Sequence, residues 1–141
     1  MIEEKIFNKN GEPVAYVTPG YTPVIYLWDG FPVAYIYEED HVFGINGKHL
    51  GWFVNEVLYT NEGDRIGFTF DTCPVSVAKD PVKGKKHPKD ESRPRWAIPS
   101  PPKFGYKVAD QDLTAFLSEG LVKLYQEGES TDETLAKKTK A

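Results

Sequence analysis

The chain has 141 residues, 27% of them charged and 40% hydrophobic, with a formal net charge of −4 and one cysteine. That length suits a single domain with a core of its own, and a lone cysteine excludes an intrachain disulfide. No apolar run approaches the roughly 18 residues a membrane helix needs, and the N-terminus lacks the basic and apolar segments of a signal peptide, so a soluble cytoplasmic protein is expected.

Residues 6 to 69 contain one twelve-residue frame four times. It runs Ile6 to Val17, Ile25 to Ile36, Val42 to Phe53 and Leu58 to Thr69, at offsets of 19, 17 and 16. Gly11, Gly30, Gly47 and Gly63 occupy one column, preceded by Asn10, Asp29, Asn46 and Glu62. Asn-Gly or Asp-Gly between β-type runs is a hairpin signal, read here as a turn with both residues at positive φ, which makes Glu62 the departure. Before each turn stands one aromatic residue: Phe7, Tyr26, Phe43 and Tyr59. After it, alternation puts Val14, Val33, Leu50 and Ile66 on one face with Tyr16, Tyr35, Trp52 and Phe68, and a small column, Ala15, Ala34, Gly51 and Gly67, on the other. A column that stays small predicts close backbone approach around a shared centre, and one that stays aromatic predicts a buried belt. The fold class expected is therefore mainly β, four short hairpins in pseudo-fourfold arrangement over residues 1–78.

Asn10-Gly11 with Val14-Ala15-Tyr16, then Asn46-Gly47-Lys48-His49-Leu50-Gly51-Trp52-Phe53, then Gly63 followed by Ile66-Gly67-Phe68-Thr69, resembles the bacterial four-fold beta flower family over about residues 6–70. The resemblance implies the fourfold hairpin fold. It carries no activity, cofactor or catalytic residue onto these positions.

Residues 79–109 change character. The stretch 79–95 has seven basic and three acidic side chains, whereas residues 1–78 have four and eleven. Six prolines between Lys79 and Pro102 predict an extended, partly polyproline arm. Such an arm, ending in Trp96 and Ile98, cannot bury those groups within itself, which predicts docking on a second protomer through residues 79–126. A helix is expected over 110–126, with Asp110 as N-cap and Leu113, Phe116, Leu117, Leu121, Leu124 and Tyr125 on its apolar face, packed on the β domain or a neighbour. Residues 127–141 read as a disordered tail.

Chemistry-bearing positions are few. Where two repeats have Pro13 and Pro32, the others have His49 and Arg65. With Lys48 and Asp64 nearby, these would be the centre of a small hydrolase; the simpler expectation is that both face water at a solvated edge and no residue is catalytic. No two of the three histidines stand at a metal spacing, and no cofactor is indicated. Cys73 reads as a small packed thiol. Trp28 and Phe31 flank one turn only, and exposed together they would form a ligand or partner patch. The arm's Lys79, Lys83, Lys85, Lys86, Lys89, Arg93 and Arg95, ending at Trp96, offer a weaker nucleic-acid reading. The function expected is a non-catalytic binding or assembly module for a protein or small-molecule partner, with no membrane role.

Overall fold

The computed structural model describes residues 3–122. Eight antiparallel strands follow one another round a closed barrel: β1 (Glu4–Phe7), β2 (Pro13–Thr18), β3 (Val24–Leu27), β4 (Pro32–Tyr37), β5 (His41–Gly44), β6 (His49–Val54), β7 (Val57–Thr60) and β8 (Arg65–Phe68). The four-hairpin expectation is thus what the chain forms.

The turns differ from the expected type. Positive φ falls on Gly11, Gly30, Gly47 and Gly63, while Asn10, Asp29, Asn46 and Glu62 stay in the ordinary range. Each loop closes with the glycine N–H donating three residues back, to the carbonyls of Asn8, Leu27, Gly44 and Thr60. This is a type I turn followed by a left-handed glycine, whose right-handed middle position accepts any L-residue. Glu62 is therefore no defect. Two consecutive residues at positive φ occur instead between hairpins, at Asn55-Glu56 (51° and 63°) and at Glu38-Glu39 (50° and 75°).

Each hairpin also carries a bulge, which changes which side chains share a face. Ile6 pairs with Ala15 but Phe7 pairs with Pro13, leaving Val14 over; the same slip leaves over Val33, Leu50 and Ile66. An extra residue reverses the alternation beyond it. Val33, Leu50 and Ile66 consequently join the inner core of Ile6, Ile25, Val42, Leu58 and the small column, with Val14 packed against it, instead of standing beside the aromatic residues. The aromatic column lies on the opposite face and makes separate clusters. It pairs across the seams between hairpins: Tyr16 with Tyr26, Tyr35 with Phe43, Trp52 with Tyr59, and Phe68 with Phe7. The shared centre is therefore lined by the small and aliphatic columns, and the aromatic belt surrounds the barrel.

The arm wraps its own barrel. The N–H groups of Ala78, His87, Trp96 and Gly105 donate to the carbonyls of Gly11, Gly30, Gly47 and Gly63 at 2.8, 2.9, 2.8 and 3.1 Å. The spacing is nine residues per turn. The arm then pairs with β8, Arg65 N–H donating to Lys107 and Ala109 N–H to Arg65, both at 2.8 Å.

The helix α1 (Leu113–Ser118) is shorter than expected and is capped by Asp112, not Asp110. Leu113, Phe116 and Leu117 enter the barrel core, Phe116 lying over Gly51, where the absence of a side chain makes room for the ring. Gly120 packs its backbone on Gly44 and accepts from Asn46 N–H at 3.1 Å, which a continuing helix would not allow. Leu124, Tyr125 and the tail lie outside the described residues. Asp112 accepts the Ala115 N–H at 3.0 Å. Asp112→Ala is expected to cost about 1 kcal/mol in a thermal melt, with faster exchange at the Ala115 amide.

Candidate functional site

The bulge puts the column Pro13, Pro32, His49 and Arg65 on the aromatic face, opposite Phe7, Tyr26, Phe43 and Tyr59. The expectation that His49 and Arg65 face water is corrected by this register. His49 is 6% exposed, packed edge-on against Phe43 and Trp52 at 5.0 and 5.1 Å between ring centres. Arg65 is half-buried, its Nε donating to the Gly105 carbonyl at 3.0 Å and its guanidinium lying over Tyr59 and Tyr106.

His49 Nε2 stands 3.3 Å from His41 Nδ1, and His49 Nδ1 is buried without a partner. A bare lone pair is less costly there than an unpaired N–H, so we assign the His49 proton to Nε2, donating to His41. Burial first, and then the neighbouring His41, lowers the His49 pKa to about 4, while Asn61 opposes the shift. The ring is neutral near pH 7. Asn61 also ties the cluster together, accepting from Trp52 Nε1 at 2.8 Å and donating to the His49 carbonyl at 3.2 Å. Among the described residues no hydrogen bond or ion pair joins His49, Arg65 and Asp64, and no group of three His, Cys, Asp or Glu side chains is placed to hold a metal.

Each seam receives one arm residue, again nine apart. Lys86 lies over Tyr16 and Tyr26, Arg95 over Tyr37 and Phe43, and Phe104 against Trp52 and Tyr59. Val77 lines the fourth seam beside Phe7. Lys83 lies over Tyr16 and Trp28, and both Lys83 and Lys86 pair with Glu3, at 2.9 and 3.1 Å. The Lys83 hydrogen bond is the largest influence holding the Glu3 carboxyl below its ordinary value. Three of the seven cations in residues 79–95, Lys83, Lys86 and Arg95, are thus turned onto the protein's own rings and carboxylates. This collar, which repeats every nine residues from Ala78 to Gly105, was missed in the sequence because its contacts are made by backbone groups; the spacing of Lys86, Arg95 and Phe104 was the available signal.

Trp28 and Phe31 do not form a common patch. Trp28 is buried against Tyr16 and donates Nε1–H to the Pro81 carbonyl at 3.0 Å, while Phe31 is exposed and stacks on His87 at 4.0 Å. The Phe31–His87 stack edges a cleft of about 430 Å³ with Ile45 and Val122. Lys48 pairs with Glu119 at 2.7 Å, and Lys85 faces Gly30 with its carbonyl. Cys73 is half-buried at the edge of the Trp52–Phe68 cluster. Trp96 is anchored by its backbone, and its side chain is 60% exposed. Among the described residues no helix is long and apolar enough to cross a membrane.

A family model described as 4-fold beta flower protein matches residues 4–117. The match takes in the collar and most of α1 as well as the hairpins. No curated protein and no solved structure matches the chain.

Proposed function

The chain belongs to the 4-fold beta flower family, and on that frame we propose that it is a non-catalytic binding or assembly module whose collar is the presenting surface. One observation carries this reading: the collar is fastened through its backbone at all four turns, yet Val82, Trp96, Ile98 and Tyr106 stay exposed on it. Large apolar groups held on a rigid frame lose little freedom when a partner covers them. The nucleic-acid reading has less support, because Lys83, Lys86 and Arg95 are engaged within the chain. A hydrolase centre has less still, since the neutral His49 has no carboxylate partner.

A second copy of the chain is the first partner to test. Light scattering at high micromolar concentration is expected to give a mass above the 15.9 kDa of one chain, and Trp96→Ala combined with Ile98→Ser is expected to return it to one chain. A photo-crosslinking residue at position 96 should give a discrete adduct in cells. A monomer at every concentration together with no adduct would sink the proposal.

A further inference from the structure

The barrel closes least completely between β8 and β1. The other three seams between hairpins each have four paired positions, for example Ala15 with Leu27 through Thr18 with Val24. The closing seam has one, Phe7 with Phe68. Beyond Phe68 the chain turns away: Thr72 and Cys73 both donate to the Thr69 carbonyl, the Thr69 N–H donates to Thr72 Oγ1, and Phe70 is thrown out to 71% exposure.

Alternation along the matching strand shows which groups this leaves open. Around β3, Trp28 N–H donates to Val14 on β2's side and Ile36 N–H donates to Pro23 on β4's side. Val24 and Tyr26 therefore address β2, and Ile25 addresses β4. By the same alternation Ile6 addresses β2, while Lys5 and Phe7 address β8. Phe7 finds Phe68; the Lys5 amide and carbonyl face a strand position that none of the described residues fills.

That position is a cleft of about 540 Å³, with Phe7, Phe70 and Val77 as its apolar lining and Glu3 to Lys5 along one side. In that lining Lys5 pairs with Asp80 at 2.9 Å, and Glu3 with Lys83 and Lys86. Burial first, and then the charges of Glu56 and Asp71, raise the Glu4 carboxyl above its ordinary value. Among the described residues no ion pair includes Glu4, Glu56 or Asp71.

We propose that the open edge of β1 binds an extended segment of a partner protein in which apolar and basic side chains alternate. The segment adds a short strand between β1 and Phe70. Its backbone meets the Lys5 amide and carbonyl, its apolar side chains cover Phe7, Phe70 and Val77, and its alternate cations face Glu4, Glu56 and Asp71. The site is separate from the exposed residues of the collar and does not depend on their role.

Fluorescence anisotropy of a labelled hexapeptide of alternating lysine and valine, titrated with the full chain, reads this directly. Lys5→Pro removes the amide that faces the seam and is expected to weaken binding about tenfold, whereas Lys5→Ala, which keeps it, binds no less tightly. Asp71→Asn is expected to weaken binding several-fold and to flatten its salt dependence. A hexapeptide of alternating glutamate and valine should not bind. Because Lys5→Pro could damage the barrel, hydrogen exchange on the unaltered protein supplies a second readout: the Lys5 amide should slow at least about tenfold with peptide present. Equal binding by folded Lys5→Pro, no binding of the basic peptide at millimolar concentration, or Lys5 protection that rises with protein concentration alone, as a second copy on the edge would give, overturns the proposal.

Discussion

Gly47→Ala is expected to cost about 3 kcal/mol and to free the collar. Gly47 sits at φ 96°, where an L side chain is strained by roughly 1–2 kcal/mol. A methyl group there would overlap the Pro94 carbonyl oxygen, so the arm has to move. Moving it breaks the bonds from Trp96 to Gly47 and from Arg93 to Ile45, each of about 1 kcal/mol. Urea unfolding would give the stability loss, and faster exchange at the Arg93 and Trp96 amides would place it. Gly105 is the control: it donates to Gly63 from within the same collar, lies outside the positive-φ set, and has open space where a Cβ would go. Gly105→Ala should stay within about 0.5 kcal/mol. If Gly47→Ala left the Trp96 amide protected, the collar would not be held at its turns as described, and the proposed presenting surface would lose its frame.

The second large effect is acid destabilisation through His49. Its pKa of about 4 in the folded chain lies below the ordinary 6.5 of an unfolded histidine. Between those values the unfolded chain binds the extra proton, so stability falls as pH falls. The contribution is complete above about pH 6.5 and gone below about pH 4, and amounts to about 3 kcal/mol at most. Carboxylates change in part of the same window: Glu3 and Glu119 are held low by Lys83 and Lys48, and Glu4 is raised by burial. The comparison is therefore with His49→Phe, which suits the ring environment of Phe43 and Trp52 and removes the titration. The difference in unfolding free energy between the two proteins, measured from pH 7 to pH 4, should move in favour of the variant by about that amount. Parallel curves would mean that His49 is solvated, and the buried histidine pair would have to be abandoned.

Side-chain pattern determined the hairpins. Four glycines in one column, short β-type runs on either side and a recurring aromatic position leave a chain little choice but a repeated two-strand unit, and such units are stable only when they bury one face together. The same pattern made the family resemblance legible in Asn46 to Phe53. Tertiary structure decided the rest, and for one physical reason in each case. Whether Val14, Val33, Leu50 and Ile66 point inward depends on one unpaired residue after each turn, and a bulge is a property of the ladder that no single strand displays. That same half-turn carried His49 from an expected solvated edge into contact with Phe43 and His41. The helix ends at Ser118 because Gly120 meets the Gly44 backbone, a contact between residues 76 positions apart. The collar is the plainest case. Ala78, His87, Trp96 and Gly105 share no side-chain property, because what holds them is an amide N–H that every residue but proline possesses. Side-chain pattern encodes which face is apolar; where backbone meets backbone, only the folded chain reveals the partner.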